Sequence, residues 1–243
     1  MTTKNFAIIV ASGKNIRMQV EKNKALLELN GKEIIAYTLQ AFEDCQGIHE
    51  IVLTVREGEE NIFWALCKKY NFNKVKKIVW SGKERQDSVW NGIIAVKELN
   101  PSLDDFIAIH DGARALITPE MIENALNAAK DTGASVLGVP SKDTIKIVDN
   151  NQIVISTPDR KTLWNIQTPQ VIKFLLMIRA FEKAYSEGFY GTDDVGLVER
   201  LNEKVQVIMG SYENIKITTP EDVKIAEKIL EYRIAYNEKN ANK

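Results

Sequence analysis

Short, nearly all-apolar runs alternating with stretches of helical period set the plan of this chain. Ala7 to Val10, Ile51 to Val55, Lys77 to Trp80, Phe106 to His110 and Ser135 to Pro140 are rich in β-branched residues, as strands buried on both faces are. Between them, residues 33–42, 62–70, 119–130 and a stretch opening near Gln86 place apolar side chains three and four apart. Strand and helix in alternation predict an α/β fold with a parallel sheet covered on both faces. After Pro140 the pattern changes. Residues 144–148 and 153–157 alternate about Asp149-Asn150-Asn151-Gln152 and predict a β-arm at about 141–160, too small to be stable alone, for which a second subunit is the natural support. Residues 163–170 return to the body. The segment 171–187 reads as a helix, 195–201 as a shorter one, 205–209 and 214–218 as strands, and 220–236 as the last helix. One domain spanning residues 1–243 accommodates all of these elements.

Charge narrows the range of partners. Lys and Arg number 32 against 33 Asp and Glu, so no overall field attracts nucleic acid or an anionic membrane, and an anion site must be built locally. Cys45 and Cys67 lack metal or disulfide spacing, and with only His49 and His110 a His-based triad or multi-His metal centre is hard to assemble. No apolar run approaches a membrane span. The first strand follows Met1 too closely to leave room for a leader, so a cytoplasmic protein is expected.

Candidate chemistry sits where strands end. Ala11-Ser12-Gly13 is followed by Lys14, Arg17, Lys22 and Lys24: small residues turn N–H groups toward oxygens and cations neutralise charge, a combination suited to a triphosphate. A basic surface loop explains the same residues. The third strand runs into Ser81-Gly82-Lys83-Glu84-Arg85-Gln86-Asp87-Ser88, a glycine before a helix start, where α/β sheets hold ligands; capping by Asp87 or Ser88 is the competing reading. Asp111-Gly112-Ala113-Arg114 sets an acid able to hold a ribose hydroxyl or a magnesium ion beside an arginine able to pair with it or with phosphate. His110 reads as a packing residue rather than a catalytic one.

Taken in order, these pieces, together with Asp143-Thr144-Ile145-Lys146, Pro158-Asp159-Arg160, Leu163-Trp164, Gln167-Thr168-Pro169-Gln170, Thr192-Asp193-Asp194 and Asn214-Ile215-Lys216-Ile217-Thr218, make a chain that resembles the 2-C-methyl-D-erythritol 4-phosphate cytidylyltransferase family from about Ala7 to Ala226. The resemblance implies a three-layer, Rossmann-like nucleotidyltransferase fold with a mixed, mostly parallel sheet and a β-arm exchanged in a homodimer. It implies that CMP passes from CTP to 2-C-methyl-D-erythritol 4-phosphate in isoprenoid precursor synthesis, with Mg2+ near the CTP phosphates and Asp111 as a candidate ligand. By the same likeness Ala11, Ser12, Gly13, Gly82 and Ser88 hold the cytosine, Asp111 the ribose, and Arg17 and Lys24 the triphosphate. Arg114, Thr192 and Lys216 line the acceptor side, joined by Thr144 and Arg160 from the partner's arm. Arg17, Lys24 and Lys216 carry the catalysis in this scheme. The chain departs from the family's usual pattern at Asn15, Asn23, Ala25 and Ala115. Asn23 replaces a proline, which is expected to loosen the segment holding Lys24. Ribitol 5-phosphate cytidylyltransferase, a sister family, and an inactive nucleotide-binding regulator are the alternatives.

Overall fold

The computed structural model describes residues 3–13 and 23–241. The chain runs β1 (Asn5–Val10), a 3-10 turn (Lys24–Leu26), the hairpin strands β2 (Glu28–Leu29) and β3 (Lys32–Glu33), α1 (Ile34–Asp44), β4 (Glu50–Val55), α2 (Glu60–Tyr70), β5 (Val75–Trp80) and α3 (Arg85–Lys97). There follow β6 (Phe106–Asp111), α4 (Pro119–Thr132), β7 (Ala134–Pro140), β8 (Ile147–Val148), β9 (Val154–Ser156), β10 (Trp164–Lys173), α5 (Phe174–Ser186), α6 (Val195–Glu199), β11 (Gln206–Met209) and α7 (Pro220–Ala241). Asn30 and Gly31, with φ of 49° and 78°, close the β2–β3 hairpin because both central positions of that turn need a left-handed backbone.

Seven strands form one sheet in the order β11-β7-β10-β6-β1-β4-β5. Neighbours pair in parallel except β10, which is antiparallel to both β6 and β7. The period of two in β1 sorts its side chains between two cores. Ala7 and Ile9 pack with Leu39, Phe42, Phe63 and Leu126 of α1, α2 and α4, while Phe6 and Ile8 pack with Val89, Ile93 and Phe181 of α3 and α5. Three layers result. Helix α3 lies so close to β1 that a Cβ on Gly92 would stand 2.6 Å from Ile8 Cγ2.

Three expectations are corrected. Residues 171–173 are strand, not helix: Val171, Ile172 and Lys173 pair with Ala108, Ile107 and Phe106 before α5 begins at Phe174. Residues 214–218 form no strand; they run beside Ala113, whose carbonyl accepts from Ile217 N–H. The arm's ladder is shorter than the sequence pattern, with Ile147–Val148 paired to Val154–Ser156 and these residues exposed.

Candidate active site

The carboxyl ends of β1, β5 and β6 open onto a crevice of about 440 Å³. Eight of the residues given a binding or catalytic role above line it: Ala11, Ser12, Gly13, Lys24, Gly82, Ser88, Asp111 and Lys216. Gly13 makes room for Lys24, since a Cβ there would lie 3.1 Å from Lys24 Cε. Arg56, at the end of β4, is a cation that reasoning from the sequence missed. Its guanidinium donates to the carbonyls of Gly13 (2.6 Å) and Ser12 (3.4 Å) and so fixes the outer side of the loop.

At the second corner the capping and binding readings coexist. Glu84 and Asp87 form a reciprocal capping box at the start of α3, with Glu84 N–H donating to Asp87 Oδ2 at 3.0 Å. Ser88 Oγ accepts from Gly82 N–H (3.1 Å) and donates to Glu84 O (3.0 Å). Gly82 cannot carry a side chain here, because a Cβ would stand 2.2 Å from that of Asp87.

Asp111 is the electrostatic centre. Its buried carboxylate meets Lys216 Nζ at 2.7 Å, Arg85 Nε at 3.2 Å and Arg114 Nε at 3.8 Å. Burial alone would raise its pKa, but Arg85, Lys216 and Arg114 outweigh that and hold the carboxyl well below the usual range. Arg85 also makes a two-pronged pair with the buried Asp194, Nη1 to Oδ1 at 3.0 Å and Nη2 to Oδ2 at 2.8 Å. Gln170 sets Asp194 in place: its Oε1 accepts the N–H groups of Asp194 and Val195, both at 2.9 Å. Neither Arg85 nor Asp194 was assigned a site role from the sequence, although both lie in the quoted motifs.

His110 packs under this cluster. Asp111 N–H donates to Thr168 Oγ1 (3.1 Å), which leaves the threonine hydroxyl proton for His110 Nδ1 (3.0 Å) and assigns the ring proton to Nε2, facing Arg114 O (3.3 Å). Burial pushes the imidazole pKa down to about 3, so the ring is neutral and holds Thr168 and Arg114 in place.

The remaining sequence candidates are placed differently. Arg17 lies outside the described residues. Arg114 donates from Nη1 to Asn214 O at 2.8 Å, and among the described residues its buried Nε has no hydrogen-bond partner. Thr192 is exposed ahead of α6; Thr144 is exposed in the arm region, and Arg160, also exposed, donates to Lys142 O at 3.2 Å. None of these four lines the crevice. Asn23 itself is held, being buried and hydrogen-bonded at both ends of its amide, while residues 14–22 of the segment expected to loosen lie outside the described residues. Among the described residues no three His, Cys, Asp or Glu gather as a metal centre. Asp111 is a single carboxylate whose oxygens already meet Lys216 and Arg85, so it has at most one lone pair to give a magnesium-type ion, which would take its other oxygens from substrate phosphates and water. Among the described residues no helix is long and apolar enough to cross a membrane.

Comparison with known proteins bears on family and fold. The profile of the 2-C-methyl-D-erythritol 4-phosphate cytidylyltransferase family matches residues 6–232. Proteins of that name from Clostridioides difficile and Caldanaerobacter subterraneus are each 47% identical to the chain, over 224 and 225 residues, covering 92% of it and 92% and 97% of themselves. The crystal structure of 4-diphosphocytidyl-2C-methyl-D-erythritol synthase from Anaerococcus prevotii superposes with a TM-score of 0.82 at 32% identity, covering 94% of this chain and 96% of that one.

Proposed function

This chain belongs to the 2-C-methyl-D-erythritol 4-phosphate cytidylyltransferase family, and from that premise we propose that it transfers CMP from CTP to 2-C-methyl-D-erythritol 4-phosphate, releasing pyrophosphate, in isoprenoid precursor synthesis. The observation that carries the reading is the meeting of Lys24, from the first strand–helix connection, with Lys216 and Asp111 in a single crevice. The cytosine lies among Ala11, Ser12, Gly13, Gly82 and Ser88. Asp111 receives the ribose, Lys24 faces the triphosphate, and Arg17 is assigned to the same phosphates by the family likeness.

The acceptor's phosphate monoester is already anionic near neutral pH, so its oxygen attacks the α-phosphorus of CTP without a general base. A P–O bond forms to the incoming phosphate, the bond to the β-phosphate breaks, and pyrophosphate leaves with the electron pair. That accounts for a crevice whose nearby histidine is neutral and structural. The difficulty is to hold two polyanions together and to stabilise charge at phosphorus, which is work for fixed cations. Lys216 is half-exposed while paired with Asp111 and so presents ammonium protons to the crevice. Arg114, behind the crevice, adds its charge on the far side of the Asp111 carboxylate. Asp111 is the residue that would hold a divalent cation, Mg2+ in our reading, and such an ion would supply charge neutralisation at the phosphates. The enzyme works in the cytoplasm.

The test is a pyrophosphate-release assay with CTP and a panel of polyol phosphates. Turnover with methylerythritol phosphate is expected; a preference for ribitol 5-phosphate, or CTP binding without release, would overturn the reading.

Thr144 and Arg160 reach the acceptor from a second copy of the chain. The exposed Ile147, Val148, Val154 and Ile155 of the arm support this, as an isolated two-stranded ribbon needs apolar cover. Mixing Arg160→Ala and Lys24→Ala proteins is accordingly expected to restore part of the activity that each lacks alone, since one crevice of each heterodimer is intact. No recovery in heterodimers verified by mass spectrometry would refute a shared site.

A further inference from the structure

The residue before Lys24 is a polar side chain that is only 1% exposed, and its amide is engaged on three sides. Asn23 Nδ2 donates to Ala11 O at 2.7 Å and to Glu59 Oε2 at 2.6 Å, while Oδ1 accepts from Ala25 N–H at 3.0 Å. Only one orientation of the amide works, because a carbonyl and a carboxylate can only accept and a backbone N–H can only donate. Three parts of the chain therefore converge on it: the end of β1 that lines the crevice, the residue heading α2, and the 3-10 turn that begins with Lys24. Its Oδ1 caps that turn, and the turn's first residue sends its side chain over Gly13.

We infer that Asn23 is a positioning residue for phosphoryl transfer, a clamp that aims Lys24 into the crevice and is itself anchored by Glu59. The inference rests on the proposed function for its kinetic consequence, although the clamp is legible without it. Side-chain direction at a terminus one residue away is set by the backbone torsions there, so freeing the turn costs Lys24 its aim while leaving its charge in place. Displacements of about 1 Å at such a group are worth on the order of a hundredfold in rate.

The test is a double-mutant cycle on the full-length enzyme. Asn23→Ala is expected to lower kcat on the order of ten- to a hundredfold, with a smaller change in KM for CTP. In a Lys24→Ala background the same substitution is expected to cost about threefold or less, because the group it aims is gone. Multiplicative losses would assign Asn23 a general structural role and overturn the inference, as would a wild-type kcat in Asn23→Ala. Charge provides a second arm. Asn23→Asp sets a carboxylate against Glu59 and Ala11 O and is expected to lose activity; adding Glu59→Gln, which turns an acceptor into a donor, is expected to recover part of it, and no recovery would count against the anchor. Amide exchange in the ligand-free protein is independent of activity. Faster exchange at Ala25 to Leu27 in Asn23→Ala is expected, unchanged exchange would refute the clamp, and faster exchange in the variant together with an inactive wild type would refute the proposed function alone.

Discussion

Arg85→Met is expected to destabilise the protein by about 3–5 kcal/mol, the usual result of stripping one partner from a buried ion pair, and to abolish measurable turnover. The guanidinium is mostly buried and spans two carboxylates, Asp194 through both Nη atoms and Asp111 through Nε. Removing it strands Asp194, which is 2% exposed, without a counter-charge. Burial lowers the arginine's own pKa, but Asp194 and Asp111 outweigh it and raise the value overall, so the group remains charged at any working pH. Pairing the change with Asp194→Leu separates the two consequences. An apolar pair of similar volume removes the stranded charge, so most of the lost stability returns in urea denaturation. Activity does not return, because Asp111 has still lost one of the cations that fix its carboxylate. Recovery of turnover along with stability would show that Arg85 serves the fold alone.

Lys216→Ala is expected to reduce kcat/KM by about two to three decades, the scale of removing one preorganised donor from a phosphoryl-transfer site. Stability should move little, within about 1 kcal/mol, since the pair with Asp111 is half-exposed on the lysine side and Asp111 keeps Arg85. Pyrophosphate release and thermal melts of one preparation give both numbers. Arginine at the same position retains charge but replaces a point donor with a planar fork, so Lys216→Arg is expected to recover only part of the rate. A wild-type rate in Lys216→Ala would remove this residue from the chemistry.

The strands of the first half were legible because each is an apolar run closed by a glycine or an acid, and those closures are where the crevice opens. Legibility failed where period carries no information. Residues 171–173 pass from a strand buried on both faces directly into α5, with no turn residue between, so the apolar run reads equally well as one long helix. Residues 214–218 alternate as a strand does, yet their backbone bonds the Ala113 carbonyl rather than a ladder. At the site, Asp193 and Asp194 stand side by side just ahead of α6. Asp193 does accept Gly196 N–H at 3.1 Å, but Asp194 turns inward to Arg85, 109 positions away in sequence. Local spacing cannot reveal a pairing of that range. The role of Asn23 was hidden for a related reason: losing a proline ring suggests slack, whereas the bonds that hold this side chain come from Ala11 and Glu59, 12 and 36 positions away.

The placement of β10 has a consequence for how a growing chain becomes competent. Strands β6 and β7 are consecutive in the sheet by sequence but are not neighbours, because β10 sits between them. While residues 164–173 are still inside the ribosome, the facing rims of β6 and β7 have no mate, and such open rims are what other nascent chains adhere to. Arrival of β10 fills that slot and in the same movement brings Thr168 to the backbone of Asp111. Closure of the gap between β6 and β7 and the tethering of Asp111 are thus one event late in synthesis, and a chain halted before it would have neither.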